Sequence, residues 1–218
     1  MTPEQITRNF VCDPALTTEA KQAIDGLEAY PALSKFLQAK PLDTLMFFAN
    51  QRLLVGGVET LLAGDIGVPA ENPNVLYGGL YNPHGNIIAI NAGYKKDQRV
   101  QQRLATSSLK RDTATDTAMV AELVSYTVPL ARLDTVLMIH EISHMIDYQH
   151  VRKSKILCQF VSEAAGSAYS SRRFVSQYAA TCPGEWFAET MSAYVVHPET
   201  LKDFDPLAFA AMRAALKL

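Results

Sequence analysis

Val136-Leu137-Met138-Ile139-His140-Glu141-Ile142-Ser143-His144-Met145-Ile146 is the stretch that decides how this chain is read. Apolar residues on both sides of His140-Glu141-Ile142-Ser143-His144 predict a buried helix. On a helix, residues four apart return to nearly the same azimuth and sit about 6 Å apart. His140 and His144 can therefore reach one zinc ion at about 2.0–2.1 Å per nitrogen. Glu141, one step round the helix, reaches beside the metal toward a bound water, where a general base for hydrolysis belongs. Two histidines and a glutamate on a buried helix are costly unless something satisfies them, and a metal does. One zinc ion per chain is the expectation.

Zinc needs a third protein ligand, with the fourth position left for water. Two residues offer themselves. His150 completes HExxHxxDxxH, the spacing of the metzincin motif, except that Asp147 stands where those enzymes carry glycine. That reading needs the helix to stop and turn sharply after His144, which glycine does best. Asp147-Tyr148-Gln149-His150-Val151-Arg152-Lys153 holds no glycine or proline and ends in cations, as the last turn of a continuing helix does. If the helix continues, His150 faces about 240° away from His144. The other candidate is Glu185 in Glu185-Trp186-Phe187-Ala188-Glu189, a predicted helix opened by Pro183-Gly184 and closed before Pro198. Glu185 and Glu189 share one face of it, so one can bind metal while the other orients a ligand histidine through its free ring nitrogen.

HExxH, then ExFAE about forty residues on, with Tyr178 seven positions before Glu185, resembles a known family. It is the group of the anthrax toxin lethal factor catalytic domain, the Pro-Pro endopeptidases and the Mlc titration factor peptidases, all gluzincins. His144-Met145-Ile146-Asp147-Tyr148 resembles that family's continuation beyond the second histidine. The resemblance spans roughly 75–197 and is patterned rather than close. It implies that His140, His144 and Glu185 bind zinc, that Glu141 is the base, and that Tyr178 helps stabilise an oxyanion. Glu189 then orients a histidine, and Asp147 either does the same or faces solvent.

Asn74 to Asn91 reads as two strands around the turn Asn82-Pro83-His84-Gly85-Asn86. Zinc peptidases hold substrate as a strand added to a sheet edge. Gly78 and Gly79 would let a peptide backbone approach closely, with Tyr81 on the same strand. An ordinary hairpin is the equal alternative. Elsewhere, Thr17–Lys40 predicts a helix broken near Pro31, and Leu42–Leu62 a largely helical stretch interrupted at Gly56-Gly57. The polar segment 97–117 suits a flap, and 118–128 a helix or strand. The metal helix runs from about Leu133 to Val151, Phe160–Tyr178 is mostly helical, and Asp205-Pro206 starts a last helix over Leu207–Leu216. Strands followed by helices give α+β: a zincin-like domain over 1–218, with helices and sheet in about 1–130 and the metal-bearing helices in about 131–218.

The chain has 218 residues, a formal net charge of −2 and three widely spaced cysteines. That length can bury a sizeable core as one domain. No basic stripe points to nucleic acid. Cys12, Cys158 and Cys182 form neither a disulfide framework nor a cysteine zinc site. No apolar run is long enough to span a membrane. Residues 1–30 are interspersed with charges and carry no secretory signal, so a cytoplasmic place, or export without such a signal or after its removal, is expected. The partner expected is a peptide or protein substrate. Two rival readings are a metzincin-like peptidase using His150, and a non-catalytic binding module that keeps the fold. An intact Glu141 and Tyr178 speak against the module.

Overall fold

A computed structural model describes residues 1–48, 78–92, 133–176 and 178–217. The segments read as a flap (97–117) and as a helix or strand (118–128) lie outside these residues, as does the stretch after Phe48 that was expected to be helical. The chain starts with a short helix α1 (Pro3–Ile6) and strand β1 (Thr7–Cys12). Helices α2 (Thr17–Gly26) and α3 (Pro31–Ala39) follow, separated by a 3-10 turn over Leu27–Ala29, so the break falls at Pro31 as expected. Proline lacks the amide that a continuous helix would need there, but suits the first position of a new one.

Leu42–Phe48 is a strand, β2, and not the helix that its Leu and Met content predicts. The reason is tertiary. β2 lies between β1 and a later strand, and a strand covered on both faces shows little polar-apolar alternation to give it away. The hairpin appears where expected, as β3 (Gly79–Asn82) and β4 (Ile87–Asn91). Asn86 makes the turn with φ of 47°, a left-handed conformation that asparagine tolerates. The strand order is β1-β2-β4-β3, with β1–β2 and β2–β4 parallel and β3–β4 antiparallel. β3 is thus an edge strand among the described residues.

The sheet splits its apolar residues by face. Leu45, Phe47, Tyr81, Ile88 and Ile90 join the main core beneath it, while Phe48 and Ala89, with Met46, Leu80 and Ile87, form a smaller cluster on the other side. Beneath the sheet lies α4 (Leu133–Ile146), which packs on α2, β3 and β4. Gly26 of α2 makes the close approach possible, since a Cβ there would sit 2.4 Å from Thr135 Oγ1. A π-turn, Asp147–Val151, continues α4 and closes with the Arg152 amide donating to the Asp147 carbonyl over 2.9 Å.

Then come α5 (Lys155–Ser171), a 3-10 turn (Tyr178–Ala180), α6 (Pro183–Val196), α7 (Pro198–Phe204) and α8 (Pro206–Ala215). Asp205 caps α8 by accepting from the Leu207 and Ala208 amides at 3.1 and 2.9 Å. α6 buries Trp186, Phe187 and Met191 against α4. Fully burying each such side chain is worth about 1.5–3 kcal/mol. That apolar seam offsets the cost of the carboxylates placed on the same helix. Among the described residues, the fold is a mixed α+β arrangement with a four-stranded sheet and a mostly helical C-terminal part.

Candidate metal centre

α4 and α6 meet with three side chains aimed at one point. His140 Nε2 and His144 Nε2 lie 3.2 Å apart. Glu185 Oε2, from the first turn of α6, lies 3.1 Å from the first and 3.3 Å from the second. Ligands about 2.0–2.1 Å from a tetrahedral ion stand about 3.3 Å from one another, so these separations fit a metal. The fit has a second mark. Glu185 Oε2 is buried and receives no well-directed hydrogen bond, despite its closeness to both rings. The three atoms crowd a common point instead of pairing with each other, and the group can hold a metal ion.

The helix positions explain the convergence. His140 and His144 share a face of α4 through their i, i+4 spacing, and Pro183 starts α6 so that Glu185 falls in its first turn. A carboxylate is favoured at that positive helix end. Burial alone would raise the Glu185 carboxyl, but the two imidazoles outweigh it and hold it well below the usual range. Burial likewise works against a charged His140, but Glu185 and Glu189 push its pKa well above the ordinary value. The site therefore demands positive charge between its ligands.

Glu189, one turn further along α6, accepts from His140 Nδ1 at 2.7 Å and fixes that ring's orientation. Its other oxygen takes the Ser176 hydroxyl at 2.9 Å, and Ser176 in turn accepts the Ala179 amide at 2.9 Å. Sequence reasoning missed Ser176. The available signal was local: a serine three residues before an amide is a common turn cap.

Glu141 is buried beside the histidines, and its pKa is raised, chiefly by that burial. The nearby backbone of Tyr81 on β3 and the two histidines work against that rise. Gly79 on the same strand stands against the carboxylate, since a Cβ there would come within 2.7 Å of Glu141 Oε1. Gly79 was expected to let a peptide backbone approach closely; its lack of a side chain also leaves room for the glutamate. The Gly78 carbonyl accepts from Asn91 within the hairpin, and the Tyr81 side chain is buried, its ring against Tyr148 and its hydroxyl near Asn86 and Gln149. Tyr178 lies nearly parallel to the His140 ring, with centroids 6.0 Å apart. It is 46% exposed, so it borders the open side of the site. Burial of its hydroxyl end and the carboxylates of Glu185 and Glu141 push its pKa far up, so it stays a proton donor in hydrogen bonds.

Two expected residues stand elsewhere. His150 lies outside the convergent group: its Nε2 donates to the Lys217 carbonyl at 3.1 Å, and its Nδ1 is 3.3 Å from Lys40 Nζ. The chain does not break after His144 but continues through the π-turn, which carries His150 away from the site. Asp147 neither orients a histidine nor faces solvent. It is buried, and Arg152 reaches back across the π-turn to bind its Oδ2 through Nε at 2.8 Å and Nη2 at 2.7 Å.

No family model matches the chain, and no curated protein does. Among solved structures, it is similar to the Pro-Pro endopeptidase from Paenibacillus alvei, with a TM-score of 0.53 and 17% identity over 97% of this chain and 98% of that one. At that identity the likeness shows a shared fold and no more. Among the described residues, no helix is long and apolar enough to cross a membrane.

Proposed function

We propose that this chain is a zinc-dependent endopeptidase of the gluzincin type. The observation that carries the reading is Glu185 Oε2, buried without a directed hydrogen bond and 3.1–3.3 Å from two imidazole nitrogens. Two imidazoles and one carboxylate are a donor set of catalytic zinc sites. A zinc ion held by His140, His144 and Glu185 would supply a Lewis acid and a water acidic enough to lose a proton near neutral pH.

Glu141 takes and returns that proton. Its raised pKa brings it nearer to the pH at which a carboxylate can both accept and give one up. Tyr178, at the open side with its hydroxyl proton firmly held, donates to the oxygen that becomes negative as the peptide carbonyl is attacked. Glu189 holds His140 in the tautomer that leaves Nε2 free for metal. The edge strand β3, with Gly78 and Gly79, is where a substrate backbone would be laid.

Zinc analysis joined to a cleavage profile on a peptide library, with and without chelator, tests the proposal. Peptides with Pro-Pro bonds belong in the library, because the similar structure carries that name. About one zinc per chain and chelator-sensitive cleavage are expected. Protein resupplied with zinc that binds none, or zinc-loaded protein that cuts nothing in the library, would overturn the reading.

A further inference from the structure

Ser176 is buried, yet its neighbours leave its hydroxyl fully employed. A buried hydroxyl is costly unless it is hydrogen-bonded. Here the proton goes to Glu189 Oε2 and the oxygen receives the Ala179 amide, both at 2.9 Å. Glu189 Oε1 accepts from His140 Nδ1 at 2.7 Å. An unbroken chain of hydrogen bonds thus runs from the backbone of the Tyr178–Ala180 turn to the imidazole of His140. Tyr178, on that same turn, covers the face of that same imidazole.

We propose that Ser176 is a positioning residue which couples the orientation of His140 to the placement of Tyr178, through its bonds to Glu189 and to the Ala179 amide. The inference rests on the peptidase reading, within which it adds a residue that touches neither metal nor substrate. A simple turn cap would need only the Ala179 bond. The second bond, aimed at the carboxylate that supports His140, is what a cap does not require. Without the hydroxyl, Glu189 loses a donor that fixes its rotamer, and the turn loses its cap. His140 and Tyr178 then loosen together.

Zinc affinity, measured by competition with a chelator, tests this on wild type, Ser176→Ala, Glu189→Ala and the double variant. Loss of a direct partner of a ligand histidine typically costs about 10–100-fold in metal affinity. Ser176→Ala, one bond further out, should cost about three- to tenfold, and little more in the Glu189→Ala background, where the chain is already cut. Amide exchange over 178–180 should quicken in Ser176→Ala, and turnover should fall with KM nearly unchanged. Ser176→Thr restores a hydroxyl and should recover the affinity. Ser176→Ala within twofold of wild type, or equally weakened with and without Glu189, would overturn the proposal; so would a folded Ser176→Thr that stays weak. Wild type that binds no zinc sinks the peptidase reading itself. Wild type that binds zinc beside an indistinguishable Ser176→Ala sinks this inference alone and leaves that reading standing.

Discussion

Helix α4 and the π-turn that continues it carry the same kinds of side chain and treat them in opposite ways. In the π-turn every charge closes on a neighbour: Asp147 on Arg152, and His150 on the Lys217 carbonyl and Lys40. One turn earlier, His140 and His144 face Glu185 without closing on it, and a buried carboxylate oxygen is left without a directed bond. The first cluster is complete as it stands. The second is complete only with something added. Titratable residues on a buried helix therefore do not mark a site by themselves; what marks it is the convergence of three ligand atoms from two helices on one point.

The sharpest way to break this contrast is to remove Glu185. Binding of about 10–16 kcal/mol shared among four ligands makes one ligand worth about 3 kcal/mol, roughly a hundredfold or more in affinity. Glu185→Ala should therefore purify without zinc and without activity, whereas His150→Ala should keep its metal content. Equal zinc in both variants would erase the distinction between the two clusters.

A smaller effect separates the chemistry from the metal. Glu141→Gln should retain zinc and lose about 10²–10⁴ in turnover, the usual contribution of a general base. Tyr178→Phe should lose about 10² in turnover with little change in KM, as expected for a donor that acts on developing charge. Should Tyr178→Phe lose melting temperature while turnover holds, the tyrosine is structural.

The smallest effect belongs to the completed cluster. Asp147→Asn weakens a pair whose arginine side chain is 48% exposed, so about 1 kcal/mol of stability is at stake. Thermal melting should show that loss while zinc affinity stays put. A drop in zinc affinity would mean that the π-turn also serves the site.

What was legible in the sequence follows from how local each signal is. His140, Glu141 and His144 lie on one helix, so their spacing alone projects the geometry. Glu185 and Glu189 could be read the same way, because Pro183 fixes the start of their helix. Their meeting with the histidines is a tertiary event; the shared face of Glu185 and Glu189 made them candidates beside His150, and the resemblance favoured them. Leu42–Phe48 misled because Leu, Met and Phe suit a helix, and its neighbours on both sides, which decide the matter, are far away in sequence. The local cap of Ser176 was open to reading, but its link to the site was not, for the same reason. Its partner Glu189 is thirteen residues on, across the turn and the start of α6.

The closeness of Glu141 to β3 bears on more than the geometry of a base. β3 ends the sheet among the described residues, and an open strand edge invites other chains to pair with it. Glu141 sets a buried carboxylate against that strand, where a Cβ at Gly79 would come within 2.7 Å of its Oε1. A charge pointed inward at an open edge is one of the devices that discourage unwanted strand pairing.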